Sequence, residues 1–465
     1  MSSKYIKGFF LLGLVASIGL QSCQFTNKYK APEVDTVALF RDQKPVDTVT
    51  IANIPWKEYY KDPVLQALIE EGLTNNHDMQ IAYARIKQAE ASLSISRAAY
   101  FPDATLVGRV TEFKSLSSSY HTEEYFLGIA SSWELDVWGK LNRQQKAAKA
   151  QFQGSEEYKN LIQTSLIANI ATSYYTLLAL DNQLDVTNSM IGIMGKSAEV
   201  MQAMMDAGQT GITRVSIEQS KALLYSTQAS VPDLESNIRQ LENSICVMLG
   251  RKPGYVFRNK LSGQDVPTAL AYGVPAQMLA KRPDVKMAEL SFRSAFELTN
   301  AAQASFYPSI TLSTGSMVGF GTQNTLANFF KPENLFANII GGVAQPIFAK
   351  KQLVGQLKIR KAQEEEALLS FEKTVLNASK EVSDIMFVYE SSLRKNETRS
   401  LQVKSLLMAV EDSQFLLEGG MLNSSIELLN AQQGLLQAQM SQIGDKLEQL
   451  QSSVSLYRAL GGGVK

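Results

Sequence analysis

Glu134 and Asp136 are the nearest this sequence comes to a catalytic pair. Two positions apart in an alternating stretch, they would project from one face of a strand, as paired carboxylates for acid–base work require. They also end the stretch that carries them, which suits a charged rim better than a reaction centre. No Gly-x-Ser-x-Gly elbow, phosphate-binding loop or metal-ligand cluster accompanies them. His77 and His121 are the only histidines, so no His-based metal site can be assembled locally. Cys23 and Cys246 give no disulfide framework; Cys246, inside Ile245-Cys246-Val247-Met248-Leu249, reads as a small buried apolar residue. Basic and acidic residues both number 45, and the resulting formal charge of zero leaves no electrostatic footprint for nucleic acid. The expectation is a protein that is not an enzyme and carries no cofactor or metal.

Covalent chemistry is expected at Cys23. Lys4 and Lys7 give a positive start, and residues 8–20 form an apolar core of 13 residues, too short to span a bilayer. Leu20-Gln21-Ser22-Cys23 then resembles a lipobox, which marks cleavage and lipidation at its cysteine; Gln21 fits its position less well. An ordinary secretory signal with a chance cysteine is the alternative, and both readings export the mature protein. The predicted division is a lipoprotein signal peptide over 1–22, then an anchor arm and first helix over 23–77.

The elements beyond are long. Residues 356–418 hold neither glycine nor proline over 63 positions, which as an α-helix is a rod of roughly 95 Å. Such a rod needs a partner. Leu368, Phe371, Val375, Ala378, Val382, Ile385 and Tyr389 step by three and four alternately, the seam of a coiled coil. The step lapses across 394–399 and resumes at Val403, Leu407, Val410 and Leu417. After Gly419-Gly420 a second seam runs Ile426, Leu429, Gln433, Leu436, Met440, Ile443, Leu447, Leu450, Val454 and Tyr457. Two such helices joined at a tight turn predict an antiparallel hairpin. By themselves these residues suit a structural coiled coil equally well.

Upstream the period becomes two. Tyr125, Leu127, Ile129, Ser131, Trp133 and Leu135 alternate with Phe126, Gly128, Ala130, Ser132 and Glu134, residues 104–113 behave alike, and a serine-rich loop links the runs. Small or polar residues on one face and apolar ones on the other suit a membrane barrel, whose strands need about 9 to 11 residues; a soluble sheet edge alternates in the same way.

The whole pattern then repeats. Asp78 and Ala82 match Asp284 and Ala288 at an offset of 206, as Phe101-Pro102 matches Tyr307-Pro308. Trp138-Gly139-Lys140 matches Phe348-Ala349-Lys350 at 210, Gly208 matches Gly420 at 212, and Leu249-Gly250 matches Leu460-Gly461 at 211. The chain is an internal duplication. Repeat 1 spans 78–250, with a helix, a β-hairpin over 104–135 and a long helical hairpin over 139–250. A connector covers 251–283. Repeat 2 spans 284–465, with a helix, a β-hairpin over 310–345 and a helical hairpin over 351–460. Four strands cannot close a barrel, for which about eight is the minimum, and a bilayer tolerates no open edge. Strands in a membrane would have to be pooled between chains, and three chains would supply twelve strands and twelve long helices.

Ser132-Trp133-Glu134-Leu135-Asp136-Val137-Trp138-Gly139-Lys140-Leu141, Lys281-Arg282-Pro283-Asp284-Val285, Phe306-Tyr307-Pro308-Ser309-Ile310, Gln345-Pro346-Ile347-Phe348 and Leu456-Tyr457-Arg458-Ala459-Leu460-Gly461-Gly462-Gly463 together resemble the outer-membrane efflux channel family, the TolC-like factors, in their lipid-anchored drug-efflux branch. The resemblance spans essentially the whole mature chain. It implies a mixed α/β membrane protein: a homotrimer forming a twelve-stranded outer-membrane β-barrel, four strands per chain, continued by an α-helical barrel through the periplasm of a Gram-negative bacterium. Its implied partners are outer-membrane lipid, a periplasmic adaptor protein and an inner-membrane pump.

The family's adaptor-contacting turns match Gly208, Gln209 and Thr210 in repeat 1 and Gly419, Gly420 and Met421 in repeat 2. Asp206, Arg214, Glu418 and Glu427 lie within a turn or two of them. Threefold repetition would make each a ring able to hold a gate, and solvated helix ends are the plainer alternative. The family often places a glycine just after Pro-Ile-Phe; here Ala349-Lys350-Lys351 stands instead. The function so implied is passive conduction of small molecules out of the cell. A protein-secretion duct of the same family, or a periplasmic coiled-coil scaffold, is the alternative.

Overall fold

The computed structural model describes residues 27–34, 51–114, 121–209, 211–265, 280–313, 318–322, 326–419 and 424–464. Cys23, Thr210, Gly420 and Met421 lie outside them. In chain order come α1 (Pro63–Asn75), α2 (His77–Ala98), β1 (Thr105–Lys114), β2 (His121–Ala130), β3 (Ser132–Leu135), α3 (Lys140–Asp206) and α4 (Arg214–Met248). They are followed by α5 (Pro283–Ala304), β4 (Ser309–Ser313), β5 (Val318–Thr322), β6 (Leu335–Ala337), β7 (Ile340–Ala344), α6 (Gln352–Glu418) and α7 (Ser424–Ala459). The same order of elements occurs twice, and α3 and α6 each run for 67 residues. Among the described residues no helix is long and apolar enough to cross a membrane. The chain divides into two compact units, one of residues 1–33, 87–154 and 288–371, the other of 34–86, 155–287 and 372–465.

The first unit contains the strands. They form two antiparallel ladders, in the orders β1-β2-β5-β6 and β3-β4-β7. The consecutive pairs β2 and β3, β4 and β5, and β6 and β7 each give one strand to either ladder, so with β1 the described strands fall into four paths ordered as a meander. Alternation then sorts the side chains. Leu106 opposes Ile129, which opposes Val318, and on the same face Val110 opposes Tyr125 and Phe320 opposes Leu335. Leu106, Val110, Ile129, Val318 and Leu335 are all exposed. The other face carries Thr105, Arg109, Thr111, Thr122, Glu124, Gly128, Gly319 and Gly321. Gly128 and Gly319 face each other so closely that a Cβ on Gly319 would lie 2.4 Å from the Gly128 Cα, a spacing only glycine permits.

Where the second strand path leads into α3, the structure answers the question of the paired acids. Glu134 and Asp136 do not form an acid–base pair: Glu134 accepts from Lys140 Nζ at 2.6 Å. Asp136 accepts from the N–H groups of Leu141 (2.9 Å) and Asn142 (2.8 Å). Gly139, with φ +76, has no side chain to cap the helix, and Asp136 satisfies the orphan donors from three residues upstream. Trp138 stacks on Tyr307 with centroids 5.1 Å apart and donates from Nε1 to the Pro308 carbonyl at 2.7 Å. At the matching start of α6, Lys350 (φ 46) and Lys351 (φ 64) adopt the left-handed conformation that glycine takes easily.

In the second unit both return helices end on a left-handed glycine, Gly250 (φ 70) and Gly461 (φ 86). The N–H groups of Gly250 and Arg251 donate to Val247 and Cys246, and those of Gly461 and Gly462 to Arg458 and Tyr457, a Schellman cap in each case. A Cβ on Gly250 would come 2.4 Å from the Asn75 carbonyl oxygen, and one on Gly461 3.0 Å from the Lys281 carbonyl carbon. Equivalent residues then seize the helix ends: Asn76 Nδ2 donates to the Met248 carbonyl at 2.8 Å, and the Arg282 guanidinium to the Ala459 carbonyl at 2.7 Å. Arg282, 8% exposed, also donates to both oxygens of Asp284 (3.0 and 2.7 Å) and to Glu381 (2.8 Å). The Arg-Pro-Asp block is thus a clamp. The connector is tied down as well, since buried Asp62 accepts from Tyr174 (2.7 Å), Asn259 (2.9 Å) and Gln264 (2.6 Å).

Tyr59 stacks on Tyr457 at 4.2 Å, with Tyr60 packed edge-on against both. Burial pushes the Tyr457 phenol up to about 12, those of Tyr59, Tyr174 and Tyr175 higher still, and that of Tyr60 well above the usual phenol range. The fold therefore holds these phenols protonated at a pH where the unfolded chain, titrating near about 10, releases its protons. Stability is expected to be full below pH ~10 and to fall steeply as pH rises from there towards ~12. Melting temperatures recorded across that range will show it; a flat profile would contradict the placement of these rings.

Candidate functional site

The candidate site lies where the long helices turn. At the first turn Gly208, with φ +75, donates its N–H to the Met205 carbonyl at 3.0 Å, and Gln209 donates to Met204 at 3.1 Å. This is again the glycine-closed Schellman cap. The chain re-enters helix at Thr213, whose hydroxyl accepts from the Ser216 N–H at 3.2 Å while the Ser216 hydroxyl accepts from the Thr213 N–H at 3.2 Å, a reciprocal capping box. At the second turn Gly419 donates to the Phe415 carbonyl at 3.0 Å. Gly208, Gln209 and Gly419 are exposed.

Behind the turns all four helices share one core. Met190, Met194 and Met201 from α3, Ile217 from α4, Val403, Val410 and Leu417 from α6, and Leu428 and Leu435 from α7 are buried together, with Met204 and Met205 at the margin. Unbranched methionines tolerate shifts in packing better than β-branched residues do. This core corrects the expected seam only at the start of α7, since Leu429, Ile443, Leu450, Val454 and Tyr457 are buried as that seam requires. Ile426 and Gln433 are exposed, and Leu428, Ala431, Gln432, Leu435 and Ala438 are buried in their stead. Heptad counting assumes one partner, whereas this helix meets three. Gln432, on the buried side, donates to Ser197 Oγ at 2.8 Å. In α6 Leu407 is likewise exposed, whereas Phe371, Val375, Ala378, Val382, Tyr389, Val403, Val410 and Leu417 are buried as the seam requires.

The four charges expected near the turns are exposed, and among the described residues no ion pair joins them. Asp206 accepts from Gln202 Nε2 at 3.0 Å and Glu418 from Gln414 Nε2 at 3.2 Å, each one turn back on its own helix. Arg214 and Glu427 stand in the first turns of α4 and α7. Large apolar side chains remain uncovered beside them: Val215, Phe415 and Ile426.

A second polar feature was not expected. In the lapse of the α6 seam, Arg399 Nε donates to Asp445 Oδ2 at 3.0 Å, Lys395 pairs with Glu448 and approaches Asp445 at 3.8 Å, and Gln449 donates to the Ser392 carbonyl at 3.0 Å. An ionic clamp replaces the apolar seam there. Its signal was present in the sequence: Lys395 and Arg399 stand nearly as far before the turn as Glu448 and Asp445 stand after it, and an antiparallel hairpin brings such positions together.

A meander with an uncovered apolar face, on a chain with two long helical hairpins, defines an outer-membrane channel protein by its fold. The solved structure of the outer-membrane channel OprN has this fold, with a TM-score of 0.86 at 24% identity over 95% of this chain and 100% of that one. The chain belongs to the outer membrane efflux protein family, whose model matches residues 68–251 and 274–462. It is 26% identical over 410 residues, 88% of each chain, to the probable outer membrane lipoprotein SilC of Salmonella typhimurium. It is 29% identical over 483 aligned positions, 98% of this chain and 96% of the relative, to the antibiotic efflux pump outer membrane protein ArpC of Pseudomonas putida. As a member of this family it is an outer-membrane efflux component and not an enzyme.

Proposed function

We propose that three copies of this chain pool their strands into one twelve-stranded barrel in the outer membrane and their long helices into a tunnel through the periplasm, making the passive exit duct of a tripartite efflux system. The sheet carries this reading. Its apolar face is exposed, and among the described residues its outermost strands, β1 on one side and β6 and β7 on the other, pair on one side only. In a bilayer such edges are tolerated only when several copies close them into a ring. With no reaction chemistry of its own, the duct takes its energy from an inner-membrane pump, reached through a periplasmic adaptor. That adaptor meets the turns at Gly208, Gln209, Thr210, Gly419, Gly420 and Met421, where Val215, Phe415 and Ile426 offer apolar contact. Acylated Cys23 adds an anchor to outer-membrane lipid. The first test is extraction from the outer-membrane fraction: a heat-sensitive trimer supports the reading and a soluble monomer sinks it. Drug susceptibility measured beside secreted-protein levels after gene deletion separates small-molecule efflux from protein secretion.

In the trimer Asp206, Arg214, Glu418 and Glu427 recur as rings that hold the periplasmic end narrow. Neutralising them one at a time is expected to raise single-channel conductance in a planar bilayer. Unchanged conductance for all four variants would discard the assignment.

A further inference from the structure

The polar face of the sheet carries an aromatic feature that conduction alone does not need. Phe126 of β2 and Phe336 of β6 lie there with ring centroids 5.7 Å apart, beside a strip where Gly128, Gly319 and Gly321 supply no side chain. A Cβ on Gly321 would come 2.9 Å from Phe336 Cε1 and 3.7 Å from Phe126 Cδ2, so this glycine is the cradle that admits both rings. Arg109 opposes Phe126 in the ladder and holds its guanidinium 5.8 Å from that ring's centroid. Phe126 is 6% exposed, Phe336 is half-buried and Arg109 is exposed. Among the described residues the guanidinium makes no ion pair; the acid next along this face, Glu124, opposes Thr111 in the ladder.

Beyond these rings, and apart from Val107, Phe113 and Ile340, this face carries what a water-filled wall calls for: threonines, serines, small residues and scattered charge. Aromatic surface facing water gains when a solute covers it. A guanidinium held over a ring keeps its donors free for a carboxylate or sulfonate. The two together fit a planar ring bearing a negative charge.

We propose that Arg109, Phe126 and Phe336 form a contact station on the channel wall that briefly retains aromatic anions in transit, the solute ring against Phe336 and its charge on Arg109. The inference rests on the duct reading, in which the sheet's polar face lines the lumen. Each copy contributes one station, and the contact is weak enough for release, as conduction requires.

The test is current recording in planar bilayers with the full-length protein and 2-naphthalenesulfonate as probe, methanesulfonate serving as the ringless anion. Naphthalenesulfonate is expected to interrupt the open current while methanesulfonate does not. Arg109→Gln, at an exposed position, should shorten the interruptions about fivefold, and Phe336→Leu about threefold. Glu124→Gln should lengthen them. Steady conductance with equal interruptions in wild type, Arg109→Gln and Phe336→Leu, or with methanesulfonate as effective as the aromatic probe, overturns this inference alone. A protein that conducts neither as wild type nor with its turn charges neutralised overturns the duct reading and this inference with it.

Discussion

Replacing Arg282 by alanine is expected to cost about 3–5 kcal/mol of stability, the range for removing one partner of a buried, hydrogen-bonded charge cluster. Three groups would lose the guanidinium at once: the Asp284 carboxylate, the Glu381 carboxylate and the Ala459 carbonyl. Glu381 would keep Arg458 (2.5 Å), while the end of α7 would lose the side-chain contact that Arg282 makes to its Ala459 carbonyl. Arg282→Lys should recover part of the loss, because an ammonium cannot reproduce the fork that holds both Asp284 oxygens. Asn76→Ala, at the equivalent position in the other repeat, removes a neutral contact to Met248 and the side-chain cap on Asp78 and Met79 at the start of α2, and should cost about 2–3 kcal/mol. Thermal unfolding of the three variants checks the order. A loss below about 1 kcal/mol for Arg282→Ala would mean that the cluster is solvated and that the motif has another purpose.

The second large effect is expected on the sheet. Ile129→Arg places a charge in the middle of the exposed apolar face, between Leu106 and Val318. At bilayer depth this should cost about 2–4 kcal/mol per chain. Thr111→Arg, on the opposite face, should be nearly neutral. Urea titration of protein folded into lipid vesicles, read by the heat-modifiable shift on gels, separates the two. Equal losses would show that the faces have been assigned the wrong way round.

Much of this architecture is written in local periodicity. A three-four step over more than 60 glycine-free and proline-free residues leaves the chain no regular structure but a long helix, and an alternating run bounded by turn residues leaves little but a strand. The glycine-free run occurs once, since its counterpart over 140–206 holds Gly154, Gly192 and Gly195. Matched blocks such as Phe101-Pro102 with Tyr307-Pro308 and Leu249-Gly250 with Leu460-Gly461 nonetheless recur at nearly constant offset, so the order of elements and the duplication are legible from the residues. The glycines that close the turns, Gly208, Gly250 and Gly461, are legible for the same reason: the left-handed conformation each adopts is a property of the backbone at one position. Even the Lys395–Glu448 and Arg399–Asp445 pairs could have been found by counting outward from the turn.

What the residues alone left open is whatever depends on more than one neighbour. A heptad names a seam for one partner; where α7 meets three helices near the turn, its buried side moved from Ile426 and Gln433 to Leu428, Gln432 and Leu435, while Ile443, Leu450, Val454 and Tyr457 stayed on it. Glu134 and Asp136 have a spacing that suits catalysis, and their actual role follows from a helix that begins on a glycine without a side chain to cap it. Arg282 and Asn76 are different residue types with nothing in common by chemistry until the tertiary structure sets both against the last carbonyls of a returning helix. Sequence determined which elements exist, because propensity and period act within a segment. Only the tertiary structure decided which polar groups each element end would meet, because an orphan donor or acceptor is satisfied by whatever the fold brings to it.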